Sequence, residues 1–184
     1  MFGVGLDAQR RHVHLSDGGH FDNLGLYELV RRRVRFALVC DAGADPDLLL
    51  WDLGRVVERV RVDFGAEVSL CVDALQPGNG REAARPWVLG RVRYEDGSSG
   101  EILYLKALRM PGMPADVDAY ARAHPLFPDE STANQFFDEP QFEAYRVLGR
   151  TLVERLVADG GQAPADFAAL FGRLRAPAAA PAVA

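Results

Sequence analysis

Short apolar runs alternate along this chain with longer stretches of helical period. Arg11 to Leu15 alternates polar and apolar side chains, with Val13 and Leu15 sharing a face, and predicts a short strand. Asp17-Gly18-Gly19 breaks it, because paired glycines reach backbone angles closed to other residues. From Phe21 onward Leu24, Leu26, Tyr27, Leu29 and Val30 take helical spacing. Arg31-Arg32-Arg33 closes that segment with cations at the negative end of the helix dipole. Arg35 to Asp41 is a near-continuous apolar run with a charge at each end, as in a strand buried on both faces. Asp47 is placed to cap the next helix. Its stripe is Leu49, Leu53, Val56, Val57, Val60 and Phe64, with Asp52, Arg55, Glu58, Arg59 and Asp63 opposite and Gly65 at the end.

Glu67 to Asp73 is a further apolar strand, so the order is strand, helix, strand, helix, strand. That order predicts an α/β fold, a three-layer α/β/α arrangement with a mainly parallel, mixed central sheet. Val13, Leu38, Val39, Leu70 and Val72 are expected in the sheet. Trp87 to Tyr94 and Glu101 to Leu108 flank Glu95-Asp96-Gly97-Ser98-Ser99-Gly100 and predict a β-hairpin added at the sheet edge. Ala115 to His124 reads as a short helix. Gln141 to Ala158 reads as a long one, striped by Phe142, Tyr145, Leu148, Leu152 and Leu156 and closed by Gly160-Gly161. After a weak helix over Phe167 to Leu174, Ala176 to Ala184 holds only alanine, proline and valine and is expected to be disordered.

Composition narrows the function classes. A chain of 184 residues, 48% hydrophobic and 26% charged, can bury one sizeable core. A net charge of −5 gives no footprint for nucleic acid or for an anionic membrane as main partner. No run approaches the ~20 apolar residues that a membrane-spanning helix needs. Cys40 and Cys71 each fall in an apolar run, where free cysteine acts as a small hydrophobe. A cytoplasmic setting is therefore expected rather than a disulfide framework. Lys106 is the only lysine among 21 basic residues, which reads as a coding bias toward arginine.

The candidate chemistry lies in Ser16-Asp17-Gly18-Gly19-His20-Phe21-Asp22-Asn23-Leu24-Gly25-Leu26-Tyr27-Glu28-Leu29. With the basic run and the strand Phe36 to Ala42 behind it, this stretch resembles patatin-like phospholipases and their cytosolic phospholipase A2 relatives. The resemblance covers about residues 11 to 160 and is strongest from Leu15 to Phe64. It implies a serine acyl hydrolase of lipid esters with a Ser-Asp dyad and no cofactor. Asp17 matches the dyad aspartate of the D-G-G motif, and Gly18 and Gly19 match its oxyanion or turn support. It also implies that residues 1–160 are the C-terminal part of a patatin-like domain and that 161–184 are an appendage. A carboxylate alone can serve as base if desolvation raises its pKa and the hydroxyl is within reach.

The chain departs from the family in one respect. None of its serines (Ser16, Ser69, Ser98, Ser99 and Ser131) has glycine both two before and two after it, so the G-x-S-x-G elbow and the glycine-rich oxyanion loop are expected upstream of Met1. The isolated chain is then expected to be inactive and to associate through an exposed sheet edge. Two other readings stand beside this one. The chain is a non-catalytic relict or interaction module of the same fold, or it is a metal-dependent hydrolase using His12, His14 and His20. Against the metal, H-x-H-x-x-D-x-x-H is out of step with the usual hydrolase spacing. Asp22 and Asn23 read as helix-capping groups, and the cluster Asp41, Asp45 and Asp47 as a loop that caps the next helix.

Overall fold

The computed structural model describes residues 17–77, 82–83, 85–158 and 163–175. Val13, His12 and His14, the strand expected over 11–15, Gly160-Gly161 and the tail from Ala176 lie outside the described residues. Within them run α1 (Leu26–Arg31), β1 (Phe36–Asp41), α2 (Trp51–Phe64), β2 (Glu67–Leu70), β3 (Trp87–Arg93), β4 (Ser99–Lys106), α3 (Ala115–Ala123), α4 (Glu139–Ala158) and α5 (Phe167–Arg175). The fold is α/β, with a mixed four-stranded sheet in the order β1-β4-β3-β2.

The hairpin does not sit at the edge, as the turn chemistry alone suggested. β4 lies between β1, which it pairs in parallel, and β3, which it pairs antiparallel. The reason is its burial: Ile102, Leu103, Tyr104 and Leu105 are all covered, and a strand apolar on both faces belongs in the middle of a sheet. β2 alternates exposed and half-buried residues and takes the edge, antiparallel to β3. β1, β2 and β4 therefore run the same way and β3 opposes them. Two of the three neighbouring pairings are antiparallel, because the hairpin separates β1 from β2.

Alternation along β4 divides the core between the two faces. Ile102 and Tyr104 join Ala37 and Val39 of β1, Leu26 and Val30 of α1, and Leu53, Val56 and Val60 of α2. Leu103 and Leu105 join Trp87, Val117 of α3, Leu148, Leu152 and Leu156 of α4, and Leu170, Phe171 and Leu174 of α5. Each fully buried leucine, isoleucine or phenylalanine contributes about 1.5–3 kcal/mol. α5 is thus packed, with the Phe171 ring 5.0 Å from that of Phe36.

Several boundaries shift from the expected ones. α1 starts at Leu26 rather than near Phe21, since Gly25 takes a left-handed φ of 66° in front of it. α2 starts at Trp51, after left-handed Leu48 and Leu50, and this throws Leu49 out of the stripe to 72% exposure. Asp47 does not cap it, and its N-cap position, Leu50, carries no side-chain cap; the Asp45 carboxylate instead accepts from the amides of Leu49 at 2.9 Å and Leu50 at 2.7 Å in the loop that leads into the helix. Gly65 does end the helix, at φ 59°. After Leu70 the chain leaves the sheet for a 3₁₀ turn, Val72–Leu75, so Val72 is not a strand residue. Both cysteines are free and exposed rather than core hydrophobes.

Candidate functional site

Asp17 precedes a 3₁₀ turn, Gly18–His20, and its Oδ1 accepts from the Gly19 amide at 3.0 Å. Neither Gly18 nor Gly19 is in the left-handed region, so the turn does not need glycine for its dihedral angles. Gly19 is needed for another reason: a Cβ there would collide with Oδ1 of Asn23. His20 directs Nδ1 at the Asp17 carbonyl oxygen, 3.2 Å away, rather than at the carboxylate. The two are therefore not arranged as a His–Asp catalytic pair.

The residues after the turn fasten it to α2. Asp22 accepts from the amides of Leu24 at 2.8 Å and Tyr27 at 2.9 Å, which satisfies donors at the start of α1. Asn23 Nδ2 donates to Asp52 Oδ2 at 2.7 Å, on the first turn of α2. Tyr27 Oη donates to Asp63 at 2.8 Å, and the Arg59 guanidinium lies over the Phe21 ring at 4.6 Å. The aspartate turn is thus held along one face of a 14-residue helix. Asp17 itself is exposed, so the described residues do not supply the desolvation that a lone carboxylate base needs.

Asp52 also lines a cavity of about 320 Å³ at the carboxyl ends of β1 and β4. Ligand sites of open α/β sheets lie at such strand ends. At the floor of the cavity are Asp41 and Lys106, register partners on the two parallel strands. Lys106 is 1% exposed, and its Nζ donates to Asp41 Oδ1 at 3.2 Å and to the Gly43 carbonyl at 2.6 Å. Tyr104 Oη donates to Asp41 Oδ2, and the Gly43 amide donates to Oδ1 at 2.9 Å. Burial, and then the Asp41 carboxylate, push the Tyr104 hydroxyl far above the ordinary tyrosine range. The buried charges are therefore paired and hydrogen-bonded, as their desolvation demands.

Sequence reasoning placed Asp17, Gly18 and Gly19 on a turn and read Asp22 as a cap, and the structure shows both. It treated Asn23 as a cap, whereas its side chain bridges to α2. It missed Lys106 and Tyr104. The available signal was Lys106 itself, the single lysine in an arginine-rich chain. The histidine cluster cannot be assembled, since His12 and His14 lie outside the described residues. Among the described residues no group of three or more His, Cys, Asp or Glu side chains is placed to hold a metal ion. No helix among them is long and apolar enough to cross a membrane. No protein-family model matches the chain, and neither does any curated protein or solved structure compared with it.

Proposed function

We propose that the chain is the C-terminal part of a patatin-like serine acyl hydrolase, supplying Asp17 to a Ser-Asp dyad that cleaves a lipid acyl ester. In this reading Gly18 and Gly19 support the turn, and the nucleophilic serine and the oxyanion donors come from a separate segment carrying a G-x-S-x-G elbow. The sheet with α1 and α2 on one face and α3, α4 and α5 on the other is read as part of a three-layer α/β/α fold.

One observation carries the proposal. The Asp17 carboxylate is fixed by the Gly19 amide on a glycine turn, and Asn23 ties that turn to the wall of the cavity at the strand ends. A dyad base must be presented in one geometry to a hydroxyl that approaches from another segment, and desolvation then comes from that segment and the substrate. The exposure of Asp17 agrees with this division of labour.

The test is complementation. Purified chain is mixed or fused with the polypeptide encoded immediately upstream of Met1, and hydrolysis of short p-nitrophenyl esters and fluorophosphonate labelling are followed. The chain alone is expected to give neither, and the combination both. Labelling of the chain alone, lost in Asp17→Asn, would mean that one of its own serines is the nucleophile. A combination that contains G-x-S-x-G and stays inert would remove the reading.

A further inference from the structure

A second cleft, of about 160 Å³, lies on the α5 side of the sheet. It is bounded by the start of β3, the last turn of α5 and the 3₁₀ turn after β2. Trp87 lines it and is only 5% exposed, yet its indole Nε1–H has no hydrogen-bond partner among the described residues. A buried donor left without an acceptor costs about 1–3 kcal/mol, and a buried indole N–H usually finds one. Packing does not account for the orphan donor, since a phenylalanine would bury a ring there without that cost.

Arg85 is exposed and joins Trp87 in the lining, with its guanidinium 5.7 Å from the centroid of the tryptophan ring. A guanidinium has five N–H donors, enough to serve a ligand beside a protein partner. Among the described residues no carboxylate lines the cleft, so its local charge is positive in a chain of net charge −5. The planar fork of an arginine matches a carboxylate, which keeps lone pairs free for the neighbouring indole N–H. Leu89 and Leu174 complete the lining with carbon surface. A phosphate would leave oxygens unpaired against those side chains, which is costly.

We propose that this cleft binds a small carboxylate with an alkyl body. Arg85 and the Trp87 Nε1–H donate to its head, and its chain lies on Leu89 and Leu174. The site stands whether or not Asp17 serves a dyad, and its test involves no acyl hydrolysis.

Cys71 lines the cleft, whereas Cys40 lies on β1, and both thiols are free and exposed. Alkylation of the full chain by iodoacetamide, followed at each cysteine by mass spectrometry, thus reads occupancy against an internal reference. Butyrate is expected to slow alkylation of Cys71 saturably and to leave Cys40 unchanged. Butyramide has the same shape without the charge and should need at least about a tenfold higher concentration. Trp87→Phe removes the orphan N–H while keeping a ring, and should weaken butyrate about tenfold. Arg85→Met changes an exposed side chain and should weaken it at least as much, which keeps the proposal testable if Trp87→Phe does not fold. Decanoate below its micelle concentration separates two sources of the same chemistry. Tighter binding than butyrate marks a released acyl chain that runs past Cys71 into the open groove beside Ser69 and Arg91. Equal or weaker binding marks a short free acid, and both support the site. Equal slowing at both cysteines, butyramide as effective as butyrate, no saturable protection of Cys71 in folded protein, or undiminished protection in Arg85→Met or folded Trp87→Phe would each overturn the proposal.

Discussion

Lys106→Met would leave Asp41 as a buried carboxylate without its cation. Asp41 is 7% exposed and Lys106 1%, so water does not replace the lost ammonium. Removing one partner of a buried pair costs about 3–5 kcal/mol. Tyr104 Oη and the Gly43 amide still donate to Asp41, which places the expected loss near the lower figure, about 3 kcal/mol. With urea m-values of about 1–3 kcal/mol/M, the unfolding midpoint should fall by roughly 1 M or more. Asp41→Asn/Lys106→Met removes the unpaired charge and should recover most of the loss. Paired urea titrations followed by circular dichroism decide the matter. A Lys106→Met loss under about 1 kcal/mol, or a double variant as unstable as the single, would refute the reasoning.

Three further outcomes are expected. Gly90→Ala should destabilise by about 1–3 kcal/mol in thermal melts, since its Cβ would lie 2.7 Å from the Ser69 carbonyl oxygen across the β2–β3 pairing, and an unchanged midpoint would contradict the register. All five tyrosines hold their protons above the usual range: Tyr27 chiefly through its hydrogen bond to Asp63, the others chiefly through burial, with Tyr120 pushed up to about 12. The folded state thus favours the neutral phenols, and their stabilisation is complete below about pH 10 and lost as pH rises beyond it. Tyrosinate absorbance should accordingly appear with unfolding rather than as a reversible step near pH 10 in folded protein. Asp96 is held down at about 2, first by Ser98 and then by Arg33. Its contribution is present above about pH 4 and lost as pH falls toward 2, so the stability difference between wild type and Asp96→Asn should vanish over that window. A difference that persists at pH 2 would count against the Asp96 anchor.

Much of the fold was legible because period and composition agreed in β1, α2, β3, β4 and α4. The apolar run Phe36 to Asp41 and the stripe Leu53, Val56 and Val60 each have one stable solution. Sheet order was not legible. A hairpin signal states that β3 and β4 pair, but nothing local states that this pair enters between β1 and β2. The outward turn of Leu49 was hidden because left-handed backbone at Leu48 and Leu50 has no sequence mark, unlike Gly25 or Gly65. Phe142 was counted in the α4 stripe yet is 63% exposed, since period alone does not say where the covering layer stops. In the site, Asp17 and its glycines were visible as a local motif. The Asn23–Asp52 bridge and the Asp41–Lys106 pair were not, because they join positions 29 and 65 residues apart. A lone lysine among arginines is a compositional fact until the strands bring a carboxylate to it.

The central claim is that Asp17 is the base of a dyad whose serine lies on another segment. Its most direct test is the rate of p-nitrophenyl ester hydrolysis by the complemented protein, compared between wild type, Asp17→Asn and His20→Ala. Loss of a positioned general base costs about 10²–10⁴-fold, so Asp17→Asn should fall by that factor in kcat/KM with fluorophosphonate labelling lost in parallel, while His20→Ala stays near wild type. Undiminished hydrolysis in Asp17→Asn, or a collapse confined to His20→Ala, would contradict the account.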